Sequence, residues 1–414
     1  MKKLAAVVLS AMMLVLFTGC DMFPVPSDPY GKPTATVVPT TEPAASSEIS
    51  ATTAPTIAPV TVATTAPTEE QTQTDSPNSS PTTSSTPAPT PTPDPTEGMI
   101  FPDSDDRLLM WDELISLSAE KLDLARNEIF ARAGYSFTKD YYQEYYEKLA
   151  WYDKDPGFSE SKFTDIQHAN ITLLRAAEGA IKGQLIEIKS GTKLDYDQDG
   201  NLETLIFSSP DENHMNLKIK DGSSSTAWSI ECTEPSKKVY LGDIDMKDGI
   251  LDLFVDEFGP SDDYLVYVAG IQHKSFLNRE TVPGTIKQLK LDKKGSISTS
   301  KRMNILMTWF CSVKYKLNQA GKLVFVAQTG YSMGNFKCKT KVALSLKAKA
   351  VSSSTIALIV PAGTDVSLVS TDDKHWIKIK TSSGEGWLEM ENAFTLMNPN
   401  IPGIDAFDGL VLAD

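Results

Sequence analysis

Between Ser27 and Gly98 the chain is dominated by Pro, Thr, Ser and Ala, as in "TTAPTIAPVTVATTAPTEEQTQTDSPNSSPTTSSTPAPTPTPDPTEG", and Tyr30 is its sole aromatic residue. Such a segment has too few large apolar side chains to offset the entropy of ordering, so residues 21–98 read as a disordered linker. Roughly 70 residues of this composition would reach about 200 Å as polyproline helix and about 45 Å as a coil. Any packed domain must therefore be built from the sequence that follows.

What precedes the linker is an export signal. Lys2 and Lys3 lead into an apolar run from Leu4 to Phe17, too short for a permanent membrane span. The run ends in Thr18-Gly19-Cys20 and resembles a bacterial lipoprotein signal, with Phe17 in place of the usual leucine and Leu16 beside it. The resemblance implies cleavage after residue 19, lipid modification of Cys20, and an extracytoplasmic chain anchored to the membrane of a bacterium, Gram-positive by the further likenesses below. A net charge of -15 and a pI near 4.8 argue against nucleic acid as a partner. The remaining cysteines, Cys232, Cys311 and Cys338, form no CxxC pair and read as buried free thiols.

Residues 99–183 read as a small all-α domain. "AEKLDLARNEIFARAG" places Leu122, Ala125 and Ile129 at helical spacing, with Ser118 as N-cap and Gly134 as the stop. "TKDYYQEYYEKLAWYDKD" and "TDIQHANITLLRAAEGAI" read as further short amphipathic helices. "LDLARNEIFARAGYSF", Trp151-Tyr152 and "ANITLL" from Ala169 to Leu174 resemble the YARHG family, an extracytoplasmic bacterial domain without an established activity. Phe130 and Ala133 replace the tyrosine and histidine of the family's name, so any role of that histidine is missing here. Arg126, Asn127, Glu128 and Arg132 are expected to form a structural hydrogen-bonded network rather than a ligand site.

From 184 to 330 the pattern changes to short alternating runs between Gly, Asp, Ser and Asn turns, which predicts β architecture. In "LDYDQDGNLETLIF", Asp195, Asp197, Asp199, Asn201 and Glu203 hold the spacing by which a loop wraps a hard cation, with Gly200 at the sharp turn. No glutamate stands at position twelve and a strand follows, so the loop is not an EF-hand; the alternative reading is a solvated acidic turn. A second loop, "DIDMKDGILDLFV", presents Asp243, Asp245, Asp248 and Asp252, with one extra residue before the last acid and Lys247 at a ligand position. Both loops resemble the calcium loops of FG-GAP/VCBS-type repeats, the second in a variant common in exported proteins of Gram-positive bacteria, which implies structural Ca2+ and a partial propeller or a related sandwich.

Residues 335–398 hold a series of short strands with Gly363 in a turn, "WIKIKT" from Trp376 and "GEGWL" at 384–388. This resembles a bacterial SH3-like barrel, which implies a groove for wall peptide or glycan with Trp376, Trp387 and His375 as candidate lining. Residues 399–414 read as an acidic tail. His168, His214, His273 and His375 fall in different segments, and no nucleophile or nucleotide motif accompanies them. The fold expected is multidomain: linker, all-α, all-β, then SH3-like barrel. The function expected is a non-enzymatic, lipid-anchored envelope protein that displays binding modules. A wall-active enzyme with an unrecognised site, or an accessory or sensory subunit of an envelope complex, are the alternatives.

Overall fold

The computed structural model describes residues 96–412; the export signal, Cys20 and the linker up to residue 95 lie outside the described residues. Helix α1 (Trp111–Leu114) precedes α2 (Ala119–Arg132), which starts where Ser118 Oγ accepts the Lys121 N–H at 3.2 Å. The stop at Gly134 has two physical reasons. Its φ is +83°, and a Cβ there would lie 2.6 Å from Asp155 Cβ. Helix α3 (Asp140–Tyr146) packs Tyr146 against Phe137, ring centroids 5.0 Å apart, while the Tyr146 hydroxyl donates to the Leu124 carbonyl at 2.6 Å. Helix α4 (Asp165–Lys182) opens on a capping box of Thr164 and Gln167 and buries Ala169, Leu173, Leu174, Ala176, Ala177 and Ala180.

Three antiparallel meanders follow in chain order. After β1 (Ile186–Ile188), the first sheet is β2 (Thr192–Leu194), β3 (Glu203–Asp211), β4 (His214–Asp221) and β5 (Ser224–Glu231). The second is β6 (Val239–Gly242), β7 (Asp252–Glu257), β8 (Leu265–Gln272) and β9 (Ser275–Pro283), with β1 added beside β6. The third is β10 (Lys290–Leu291), β11 (Ser296–Met303), β12 (Trp309–Leu317) and β13 (Leu323–Val326).

The chain then forms a seven-stranded half-barrel from β14 (Tyr331–Thr340), β15 (Leu344–Lys347), β16 (Ile356–Val360), β17 (Asp365–Thr371), β18 (Trp376–Thr381) and β19 (Gly384–Glu389). A short helix α5 (Gly403–Ala406) and β20 (Phe407–Asp408) complete it, in the order β16-β15-β19-β18-β17-β14-β20.

Apolar clusters connect these parts. One joins α1, α2 and α4 to the first two sheets; a second fills the space between the second and third sheets through Phe254, Val268, Ile297 and Leu323. A third joins Met303, Trp309 and Val313 of the third sheet to Leu346, Leu368, Ile377 and Leu388 of the half-barrel. Strand β7 is consequently buried along its whole length, Leu253 and Val255 in one cluster and Phe254 in the next. Each of these side chains contributes about 1.5–3 kcal/mol through burial. Cys232, Cys311 and Cys338 are free and buried, and burial pushes their thiols up to about 11, 11 and 12.

Candidate metal centre

The first acidic loop joins β2 to β3, where Leu194 pairs with Glu203. Two residues in the left-handed region, Gln198 at φ +59° and Gly200 at +87°, fold it back on itself. Gln198 tolerates that conformation because its side chain is tied at both ends: Oε1 accepts the Trp111 N–H at 2.6 Å and Nε2 donates to the Asp195 carbonyl at 2.7 Å. Asp195 and Glu203 are almost completely buried. The Asp195 carboxylate accepts the N–H groups of Asp199 and Gly200 at 3.0 and 2.9 Å, and Glu203 Oε2 accepts that of Tyr196 at 2.9 Å.

Carboxylate oxygens of Asp195, Asp197, Asp199 and Glu203 lie within 4.8 Å of one another. Calcium holds oxygens at about 2.3–2.6 Å, so oxygens on opposite sides of an ion stand about 5 Å apart. The cluster therefore has the size of a calcium shell. Asp197 Oδ1 and Glu203 Oε1 are buried without a hydrogen-bond partner, a costly state for an anionic oxygen that a cation would relieve. Burial first, then the charges of Asp197, Asp195 and Asp199, push Glu203 up to about 7, and burial also raises Asp195. Asn201 donates both its N–H and its Nδ2 to Asp199 Oδ1, which leaves the backbone carbonyl expected to face the loop untouched by these bonds.

A protein cation approaches the same loop. His273 and Lys274, both at positive φ, form the two-residue turn between β8 and β9. Lys274 donates its backbone N–H to Asp197 Oδ2 at 2.7 Å, and its Nζ lies 2.9 Å from Asp199 and 2.8 Å from Asp221. The hydrogen bond to Lys274 holds Asp199 below the usual carboxylate range. Sequence reasoning missed Lys274, because it lies 75 residues from Asp199 along the chain.

The second loop joins β6 to β7, with Gly242 opposite Asp252, and follows a similar plan. Asp252 Oδ2 accepts the Ile244 N–H at 2.9 Å, as Glu203 accepts that of Tyr196. Here, however, a fully buried guanidinium fills the loop. Arg279 Nε donates to Asp252 Oδ1 at 2.6 Å, Nη2 to Asp248 Oδ2 at 3.1 Å, and Nη1 to the Gly321 carbonyl at 3.2 Å. Asp245 is half-buried and bonded to the Lys247 N–H, away from Arg279. Asp243 is fully buried with both oxygens unpartnered. Burial, then the Asp252 and Asp248 charges, push it up to about 8; the Trp111 indole opposes that shift from outside hydrogen-bond geometry. Asp252 is pushed up to about 6 by burial, with Arg279 holding it down. Among the described residues, only the first loop gathers four acids into one shell.

The candidate groove residues lie on β18, β19 and the turn before β18. Trp376 pairs with Glu389 and Lys378 with Trp387, so both tryptophans stand on the face opposite the core residues Ile377, Ile379 and Leu388. Trp376 is covered by Lys347, whose Nζ sits 5.5 Å from the ring centroid, whereas Trp387 is half-buried and His375 exposed.

In the helical region, the network expected from sequence is formed. Glu128 accepts the N–H groups of Ile100 and Phe101 at 2.5 and 3.0 Å, Arg132 donates to the Phe101 carbonyl and Ser104, and Arg126 pairs with Asp123 and Glu178. Asn127 donates to the Asp123 carbonyl. Asn170 is a further hub that sequence reasoning passed over, donating to the carbonyls of Ser104 and Arg107 and accepting the Leu109 N–H. Among the described residues, no helix is long and apolar enough to cross a membrane. No curated protein and no solved structure matches the chain. Residues 97–179, the segment built around the Glu128, Arg132 and Asn170 network, match the family model of the YARHG domain, which occurs in extracytoplasmic bacterial proteins.

Proposed function

We propose that the chain is a non-enzymatic envelope lipoprotein: Cys20 carries the lipid, the linker sets the reach, and the ordered part displays a binding surface on a calcium-stapled scaffold. The three meanders are read as an open relative of a propeller and the half-barrel as an SH3-like module that takes a wall component. One observation carries the staple reading. The first-loop acids that most resemble reaction chemistry are spent on backbone N–H groups, while two buried oxygens of the same cluster lack a partner. Carboxylates in that arrangement suit a hard cation that closes a hairpin. Calcium would be held by Asp195, Asp197, Asp199 and Glu203, supplying charge neutralisation and tying β2 and β3 to the β8–β9 turn and, through Gln198, to α1.

Calcium titration of the exported protein by calorimetry and thermal melting tests this. Binding with a rise in melting temperature, abolished in an Asp195→Ala, Asp197→Ala variant, is the expected result. Absence of heat and of any shift at millimolar calcium removes the metal from the proposal. Retention of the parent on purified wall material, without turnover of that material, tests the display role.

A further inference from the structure

Residues 284–330, which build the third meander, hold nine lysines and arginines against one acid, Asp292, in a chain whose net charge is -15. Packing uses one face of this sheet twice. Ile297, Leu317 and Leu323 meet the second sheet, while Met303, Trp309 and Val313 meet the half-barrel. The register puts all six on the same side, so both neighbours cover one face and leave the other to solvent.

That other face mixes cations with apolar side chains. Lys290, Ser298, Lys314 and Val326 form a row across all four strands. Lys316 lies opposite Val324 in the next row, and Arg302 opposite Phe310 near the far end. Phe310, Val324 and Val326 are 45%, 45% and 37% exposed, and Lys290 and Lys316 are exposed as well. Lys314 pairs with Asp292 at 3.1 Å and Arg302 with Asp263 at 3.5 Å, whereas Lys290 and Lys316 have no ion pair among the described residues. Other cations of the stretch are engaged elsewhere: Lys301 lies over the Phe325 ring, Lys293 donates to the Ile181 carbonyl and Lys322 pairs with Glu280. The face keeps two unanswered positive charges beside three exposed apolar side chains.

We infer that this face is a docking surface for a lipid bilayer with anionic headgroups. A soluble polyanion would meet the ammonium groups but leave Phe310, Val324 and Val326 in water. A bilayer interface takes both kinds of group, because lysine stems lie along the apolar boundary while their ammonium groups reach the headgroups. A protein partner would have to bury lysine inside its interface, where that residue is depleted. The chain also holds the face near such a surface. Residues 21–95 separate Cys20 from the described part, and a coil of that length reaches about 45 Å, so a lipid on Cys20 keeps the third sheet within range of the same bilayer. An acyl anchor and a basic surface then act as two linked contacts. The inference takes its setting from the lipid anchoring proposed above and is independent of the calcium staple and of the half-barrel's ligand.

The test uses the full exported chain carrying Cys20→Ser, so that no acyl chain contributes, with vesicles of phosphatidylcholine alone or mixed equally with phosphatidylglycerol. Co-sedimentation should show binding to the mixed vesicles that weakens with salt, and little binding to phosphatidylcholine. Adding Lys290→Gln, Lys316→Gln should weaken it about fivefold per lysine. Adding Val324→Thr, Val326→Thr should weaken it a few fold and leave the salt dependence unchanged. Both pairs are exposed, so melting temperatures should stay at the parent's. A control of equal charge change on β4, Lys218→Gln, Lys220→Gln, should bind like the parent. An equal loss in that control would reduce the effect to net charge, and no binding to mixed vesicles at low salt would overturn the inference. Long-chain polyphosphate held as tightly as the vesicles, with the valine variant unaffected, would assign the face to a soluble polyanion instead. Recovery of the native exported protein with membranes, while the Cys20→Ser chain ignores vesicles, sinks this inference and leaves the lipid anchor standing; vesicle binding by the variant without membrane recovery of the native protein does the reverse.

Discussion

Replacing Glu203 by Gln should move stability in opposite directions with and without calcium. Without metal, Glu203 is fully buried among three other carboxylates and its pKa is pushed up to about 7 from an ordinary 4.5. An acid whose folded pKa is raised destabilises the fold above that pKa, and the cost fades as pH falls through about 7 towards 4.5. The shift corresponds to about 3 kcal/mol at pH 8 as an upper figure, and about 2 kcal/mol after discounting for solvent that reaches the neighbouring Asp199. Gln keeps an acceptor for the Tyr196 N–H and presents an NH2 to the cluster, so this cost disappears. With about 320 folded residues and an unfolding entropy of about 2.1 cal/mol/K each, 2–3 kcal/mol corresponds to about 3–5 °C. In chelator at pH 8, Glu203→Gln should therefore melt about 3–5 °C above the parent, with the gap closing by pH 5. Calcium at one hundred times its dissociation constant would stabilise the parent by about 2.7 kcal/mol, or about 4 °C, and the variant far less. The two melting curves should draw level or cross on adding calcium. A variant that melts below the parent in chelator at pH 8, or that gains as much from calcium, refutes the reasoning.

Lys274→Ala removes the ammonium that shares Asp199 with the loop, so calorimetry should record calcium binding tightened a few fold; weaker binding would mean that Lys274 builds the site rather than competes for it. Arg279→Met strands the buried Asp252 charge and unpairs Asp248 at the loop surface, and should cost about 3–5 kcal/mol in denaturant unfolding, a loss that shrinks as the pH is lowered towards 5. Gly134→Ala meets both a left-handed φ and the Asp155 backbone, and should cost about 1–3 kcal/mol, whereas the same change at Gly363, where the space is open, should cost about 1 kcal/mol.

Much of this architecture follows from local chemistry. Ser118, Thr164 and Gly134 mark helix ends because a cap or a left-handed turn is satisfied within a few residues. Both acidic loops read as hairpin turns for the same reason, since Asp195 and Glu203 bond N–H groups four to seven residues away. Tertiary structure decided everything that depended on distant chain. Strand β7 shows that limit: "DLFVDE" has no exposed face, its three acids included, because other layers pack on both of its sides, a burial that period-two alternation does not encode. The two loops differ in kind although their sequences are alike. Arg279 arrives from 27 residues beyond Asp252 to pair two acids of one, leaving Asp243 without a partner, while the other brings four acids into one shell. Lys337, Ser367 and Lys380 are likewise brought side by side across β14, β17 and β18 from 30 and 13 positions apart. Caps and turns are closed by neighbours in sequence, whereas the charge that answers a buried carboxylate is set by strand pairing and packing.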